Sequence, residues 1–193
     1  MALPIDLVAF QRLNVGPDGE RLLDDGILGP KTRWALALSE LPRWRQDVVL
    51  GALRWRGLGE TGGENRGPEI NAWLEACGVQ PGNPWCAAFY SALLRGAGIE
   101  MRQARVSELA KRLEPVAVPL PGDAGYVIHP DGTGHIGAVV AFGGPLVALC
   151  EGNTGDHVRV GTRPTAGLLF GCPRGYGMPA LPAGLLPLGG STR

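Results

Sequence analysis

The stretch Asn83-Pro84-Trp85-Cys86-Ala87-Ala88-Phe89-Tyr90-Ser91-Ala92-Leu93-Leu94 decides the fold. Asn83-Pro84 is a turn signal, and the apolar residues after it recur at helical spacing, which predicts a helix over 86–96 with Cys86 in its first turn. Downstream the period falls to two. Residues 125–128, 136–142, 146–151, 158–163 and 168–172 read as five short strands separated by turn residues. Upstream, residues 5–13, 30–40, 44–56 and 69–78 read as helices, and Ser107 is placed to cap a short one ending by Leu113. Helices first and an antiparallel sheet second is an α+β arrangement.

Composition narrows the function classes. The chain has 193 residues, 45% of them hydrophobic, and a formal charge of +0 at pH 7. That content fills one medium domain, or a small and a medium one. Thirty-one glycines and seventeen prolines, spread along the chain, imply a turn-rich globule. With no basic run there is no nucleic-acid footprint. Met1-Ala2-Leu3-Pro4-Ile5-Asp6 lacks a basic n-region, so no secretory signal is expected there. The longest apolar stretch, 136–150, is broken by Gly143-Gly144-Pro145 and reads as a hairpin, not a membrane span. The four cysteines, at 77, 86, 150 and 172, form no CxxC pair; free thiols are expected. No residue pattern implies a metal or other cofactor or an obligate protein partner.

Chemistry concentrates on a few residues. Cys86 sits where a helix N-terminus favours thiolate. His135, in Gly134-His135-Ile136-Gly137, opens a strand from which it can face that helix end as a base. His129 and His157 read as loop residues. Glu151 and Asn153, two apart on a strand, point to one face, with Cys150 and Gly152 pointing away. Either one can hold the ring of His135, and residue spacing does not divide the two roles. Cys77 (mid-helix), Cys150 and Cys172 read as core thiols. Asp123 follows Pro121-Gly122 and reads as shaping a strand entry. Trp85, Glu60 and Asn65 are candidates to line the cleft, the last two on the glycine-rich loop 57–68. That loop lacks the GK[ST] ending of a phosphate loop.

Trp85-Cys86-Ala87-Ala88-Phe89, Gly122-Asp123, Gly134-His135-Ile136-Gly137 and Glu151-Gly152-Asn153, in that order, resemble the CHAP domain, a cysteine, histidine-dependent amidohydrolase/peptidase. It is a papain-like family related to NlpC/P60. Phe10-Gln11-x-Leu13-Asn14 with Asp25-Gly26-Ile27-Leu28-Gly29-Pro30-Lys31-Thr32 resembles a small three-helix peptidoglycan-binding domain. The match covers one helix-turn-helix half, which is either truncated or completed by residues 43–56; the alternative is a helical cap on the larger domain. The expected organisation is a peptidoglycan-binding-like unit over 1–41, a hydrolase domain over 44–177 and a Pro/Gly-rich tail over 178–193.

The resemblance implies a cell-wall hydrolase that cuts an amide of the peptidoglycan stem peptide or cross-bridge. Cys86 would be the nucleophile, His135 the base, and Glu151 and Asn153 the supporting pair. Peptidoglycan would be the partner, without membrane insertion. A chain of this kind lacking a signal looks like a phage endolysin, made in the bacterial cytoplasm and acting on the wall after release; an injected toxin is the variant of that idea. The competing readings are a non-catalytic wall-binding or virion structural protein on the same fold, and a cytosolic cysteine protease.

Overall fold

The computed structural model describes residues 6–177; the tail expected over 178–193 lies outside them. Six helices come in chain order: α1 (Leu7–Leu13), α2 (Pro30–Ser39), α3 (Arg43–Arg54), α4 (Pro68–Glu75), α5 (Cys86–Gly96) and α6 (Val106–Ala110). Six strands come after them: β1 (Leu113–Pro115), β2 (Ala124–Ile128), β3 (Gly134–Gly143), β4 (Leu146–Thr154), β5 (His157–Pro164) and β6 (Leu169–Pro173). They form one antiparallel sheet in the order β1-β6-β2-β3-β4-β5. The fold class is α+β, as the sequence implies.

Three local expectations need correction. Ser107 does not cap α6: the N-cap is Arg105, without a side-chain bond, and Ser107 is the helix's second residue. That helix stops at Ala110, so Leu113 to Pro115 is a sixth strand instead of a helix end. Leu113 buries its side chain against the sheet, and Pro115 is tolerated because β1 is an edge strand. Cys77 lies just beyond α4, whose C-cap is Ala76.

Helix α5 runs through the centre. Ala87, Ala88, Phe89, Tyr90 and Leu94 have no exposed surface. It packs on α3, α4 and the β3–β4 hairpin. Small residues permit close approach: a Cβ on Gly152 of β4 would come within 2.6 Å of Trp85 Cζ3 and 2.8 Å of Phe89 Cβ. Alternation along β3 and β4 puts Ala138, Val140 and Cys150 in this central core. Val139, Val147 and Leu149 form a smaller cluster with Phe142, Leu168 and Phe170.

A buried ion pair fixes the entry to β2. Arg45 of α3 and Asp123 are both about 1% exposed, with Nη1 2.8 Å from Oδ1. Arg45 also donates to Pro121 O at 2.9 Å, and Leu120 N–H donates to Asp123 Oδ2 at 2.8 Å. Burial raises the Asp123 pKa and the Arg45 charge opposes that rise. Asp123 therefore stands where the sequence put it, at a strand entry, with its charge compensated.

The N-terminal turn is organised by one side chain. Gln11, 1% exposed, accepts from Gly26 N–H at 2.9 Å and donates to Ile27 O (3.0 Å), Asp25 Oδ1 (3.1 Å) and Thr32 Oγ1 (3.2 Å). Gly26 is left-handed, at φ 72°, a conformation glycine adopts freely. Pro30 then starts α2. The paired motifs of the sequence are thus the two halves of one hydrogen-bonded turn.

Candidate active site

Cys86 is the first residue of α5. Its predecessor, Trp85, is the N-cap and provides no side-chain bond to the helix end. The first-turn N–H groups of α5 are therefore left to other acceptors, and the positive end of the helix lies at the thiol. Trp85 is wholly buried among Trp73 and Phe89. The expectation that it lines the substrate cleft is corrected: it offers no surface to a ligand and supports the Cys86 turn from within.

Its indole N–H donates to Glu60 Oε1 at 2.9 Å, while Glu60 Oε2 accepts from Asn65 N–H at 2.6 Å. Asn65 Oδ1 in turn accepts from Asn153 Nδ2 at 3.1 Å. The glycine-rich loop is thereby tied both to the turn before Cys86 and to β4. Glu60 and Asn65 are half-buried members of that tie.

His135 comes from the start of β3, with a quarter of its side chain exposed. Its Nε2 lies 3.1 Å from Thr154 Oγ1 and 3.3 Å from Glu151 Oε1. Cys86, at the head of α5, is the other group that acts on the ring. Burial by itself would lower the His135 pKa. The bonds and charges of Cys86 and Glu151 outweigh it and raise the value to about 9. Glu151 is 3% exposed, and its second oxygen accepts from Arg163 Nη2 (2.7 Å) and Nε (3.1 Å).

Glu151 and Asn153 do not share a face in the manner expected. The β4–β5 register shifts between Glu151 and Thr154, and Asn153 is left-handed at φ 59°. This irregularity turns Asn153 to the glycine-rich loop and brings Thr154 to the imidazole. The two roles that spacing left open are thus divided spatially: Glu151 meets His135 and Asn153 meets Asn65. Strict alternation hid Thr154, because a left-handed residue inside a strand re-aims the next side chain. Arg163 carried no signal in the sequence, since a basic residue on an edge strand is ordinarily solvated.

The other histidines are elsewhere. His129 is exposed in the β2–β3 loop; His157 Nδ1 is 2.8 Å from Gly155 O and its ring lies over Gly59. All four cysteines are free. Cys150 donates to Ala52 O and Cys172 to Tyr176 O, and burial pushes both thiols up to about 12. They are neutral core groups.

A cleft of about 550 Å³ opens at Cys86, walled by Asn83 and Pro84 on one side and by Arg105, Ser107 and Asp131 on others. A groove of about 600 Å³ lies along Tyr126, Phe142, Leu168 and Phe170, and none of Cys86, His135, Glu151 and Thr154 lines it. Chemistry, not size, singles out the Cys86 cleft. Among the described residues no group of His, Cys, Asp and Glu side chains is arranged to hold a metal ion, and no helix is long and apolar enough to cross a membrane.

No family model matches the chain, and no curated protein matches it. Its course is similar to that of three solved structures. RipD from Mycobacterium tuberculosis, described as a non-catalytic NlpC/p60 domain protein adapted to peptidoglycan binding, is 20% identical over 68% of this chain and 98% of its own, with a TM-score of 0.44. The P60 domain of M. avium paratuberculosis antigen MAP1272c is 19% identical over 70% and 95%, with a TM-score of 0.42. The peptidoglycan hydrolase RipB from M. tuberculosis is 16% identical over 76% and 72%, with a TM-score of 0.46.

Proposed function

We propose that this chain is a cysteine-dependent hydrolase that cleaves an amide in the peptide part of bacterial peptidoglycan. The observation that carries the reading is the anchored imidazole. His135 is held by Glu151 and Thr154 through Nε2 and neighbours a thiol at the head of α5. In the proposed reaction the Cys86 thiolate attacks the amide carbonyl carbon. First-turn N–H groups of α5 donate to the oxyanion that forms. The C–N bond then breaks as the His135 imidazolium protonates the leaving amine, giving a thioester. Neutral His135 next takes a proton from water, which attacks the thioester. The carboxylic acid leaves as the C–S bond breaks, and the Cys86 thiolate and His135 imidazolium are restored.

The choice of substrate rests on sequence resemblance. The two stretches that meet at the Gln11-centred turn resemble a peptidoglycan-binding module, and the ordered cysteine, histidine and Glu-x-Asn motifs resemble a wall-hydrolase family. The Glu-x-Asn pair favours CHAP among the papain-like hydrolases. A lytic role after release, as in an endolysin, fits that combination. The test is digestion of purified peptidoglycan followed by mass spectrometry of the fragments. Free stem peptides with a new N-terminal alanine identify an amidase; cut stem or bridge peptides identify an endopeptidase. Intact peptidoglycan after exposure to folded, reduced protein overturns the catalytic reading.

A further inference from the structure

Glu151 is shared. Its Oε1 faces His135 while its Oε2 receives both the Nε–H and an Nη2–H of Arg163. The carboxylate is almost fully buried, whereas the Arg163 side chain is 39% exposed. A buried carboxylate with one weakly directed partner at 3.3 Å is free to rotate about its terminal torsion. The Arg163 guanidinium restricts that freedom, since two donors, Nε–H and Nη2–H, converge on one oxygen.

We propose that Arg163 is a positioning residue that acts through Glu151 to set the orientation and charge of the His135 imidazole. The assignment rests on the reading of Cys86 and His135 as a reactive pair. It makes β5 a working part of the site: that strand supplies neither nucleophile nor base, yet it decides how strongly the carboxylate holds an imidazolium. By drawing Glu151's negative charge toward itself, Arg163 keeps the imidazolium from becoming too weak an acid to release its proton.

Other groups do not duplicate this effect. The imidazole is faced by Cys86 from α5 and by Glu151 and Thr154 from β4. Arg159, opposite Glu151 in the β4–β5 register, directs its guanidinium to Gly155 O at 3.4 Å. Cys150 is a neutral thiol in the central core.

The test needs no knowledge of the substrate. The rate of Cys86 alkylation by iodoacetamide, read by peptide mass in the full chain, is followed across the pH range of histidine and thiol titration. The parent's upper step reports loss of the imidazolium. Arg163→Gln is expected to move that step up by about half a pH unit or more, because Glu151's charge then acts on the ring alone. Glu151→Gln moves it down. The double variant matches Glu151→Gln, because Arg163 has no route to the ring without the carboxylate. Arg163→Lys, which keeps charge at a site open to solvent, returns the step toward the parent's position.

An unmoved step in Arg163→Gln and Arg163→Lys, beside a shifted one in Glu151→Gln, overturns the Arg163 assignment alone. So does a double variant whose shift is the sum of the single shifts. A parent profile with one ordinary thiol step and no imidazolium step overturns the Cys86–His135 reading and the Arg163 assignment with it.

Discussion

At the scale of single residues, the site is a chain of charge compensation running from the head of α5 to β5. Cys86→Ala is expected to remove all turnover of peptidoglycan while leaving the circular dichroism near the parent's, because the change at the helix head removes only one sulfur. Residual turnover would point to another nucleophile. Glu151→Gln leaves the thiol and imidazole in place but badly oriented, and such a change in a triad costs up to about 10⁴ in rate.

His135 also links stability to pH. Its folded-state pKa, about 9, is above its ordinary value of 6.5, so the folded form binds the proton more tightly than the unfolded chain. The resulting stabilisation is fully present below about pH 6.5, declines above it and is lost as pH rises through about 9. The melting-temperature difference between the parent and His135→Gln should track that course. A difference that grows with pH would contradict it.

At the scale of elements, the sheet is built to let one strand's side chain lie over its neighbour. Gly137 is the cross-strand partner of Glu151, and a Cβ there would stand 2.5 Å from Glu151 Cγ and 2.8 Å from Cys150 O. Gly137→Ala is therefore expected to displace the carboxylate from His135. It should cost about 1–3 kcal/mol in denaturant titrations, the range for overpacking a filled interior. Its turnover loss should approach that of Glu151→Gln. Asn153 separates backbone from side chain: Asn153→Gly keeps the left-handed conformation and loses the bond to Asn65, while Asn153→Ala loses both. Asn153→Ala should be the less stable of the two by about 1 kcal/mol.

Legibility in the sequence divides along the same line. Helix α5 and its opening cysteine are legible because apolar spacing and a turn signal agree. The β3–β4 hairpin is legible because Gly143-Gly144-Pro145 interrupts two alternating runs. The short edge strand β1 is not, since three residues ending in proline carry no period. Thr154 and Arg163 are hidden because a register shift and a diagonal reach between strands are tertiary facts. Trp85 misleads because a residue beside a reactive cysteine can serve it equally well from the core or from the cleft.

At the scale of the whole molecule, the question is whether the first forty residues form a separable module. Their packing argues for dependence on the rest. Leu22, Trp34, Ala35 and Leu38 belong to the same continuous apolar cluster as Val48, Phe89 and Val140. Trp34 is 4% exposed, and its indole N–H donates to Val140 O on β3 at 2.9 Å. Arg56, just beyond α3, pairs with Glu20. Removing residues 1–41 would thus uncover the core side of α3 and leave a buried carbonyl without its donor, so wall binding is better tested by point changes than by truncation. Trp34→Ala should cost about 3–5 kcal/mol, the range for deleting a large aromatic side chain from a packed core. If the two parts fold as one unit, tryptophan fluorescence and far-ultraviolet circular dichroism will report a single coincident unfolding transition in the parent. In Trp34→Ala both probes move together to lower denaturant. Two separated transitions, with only the earlier one shifted by the substitution, would mean that the N-terminal helices melt independently and that the shared cluster couples them too weakly to matter.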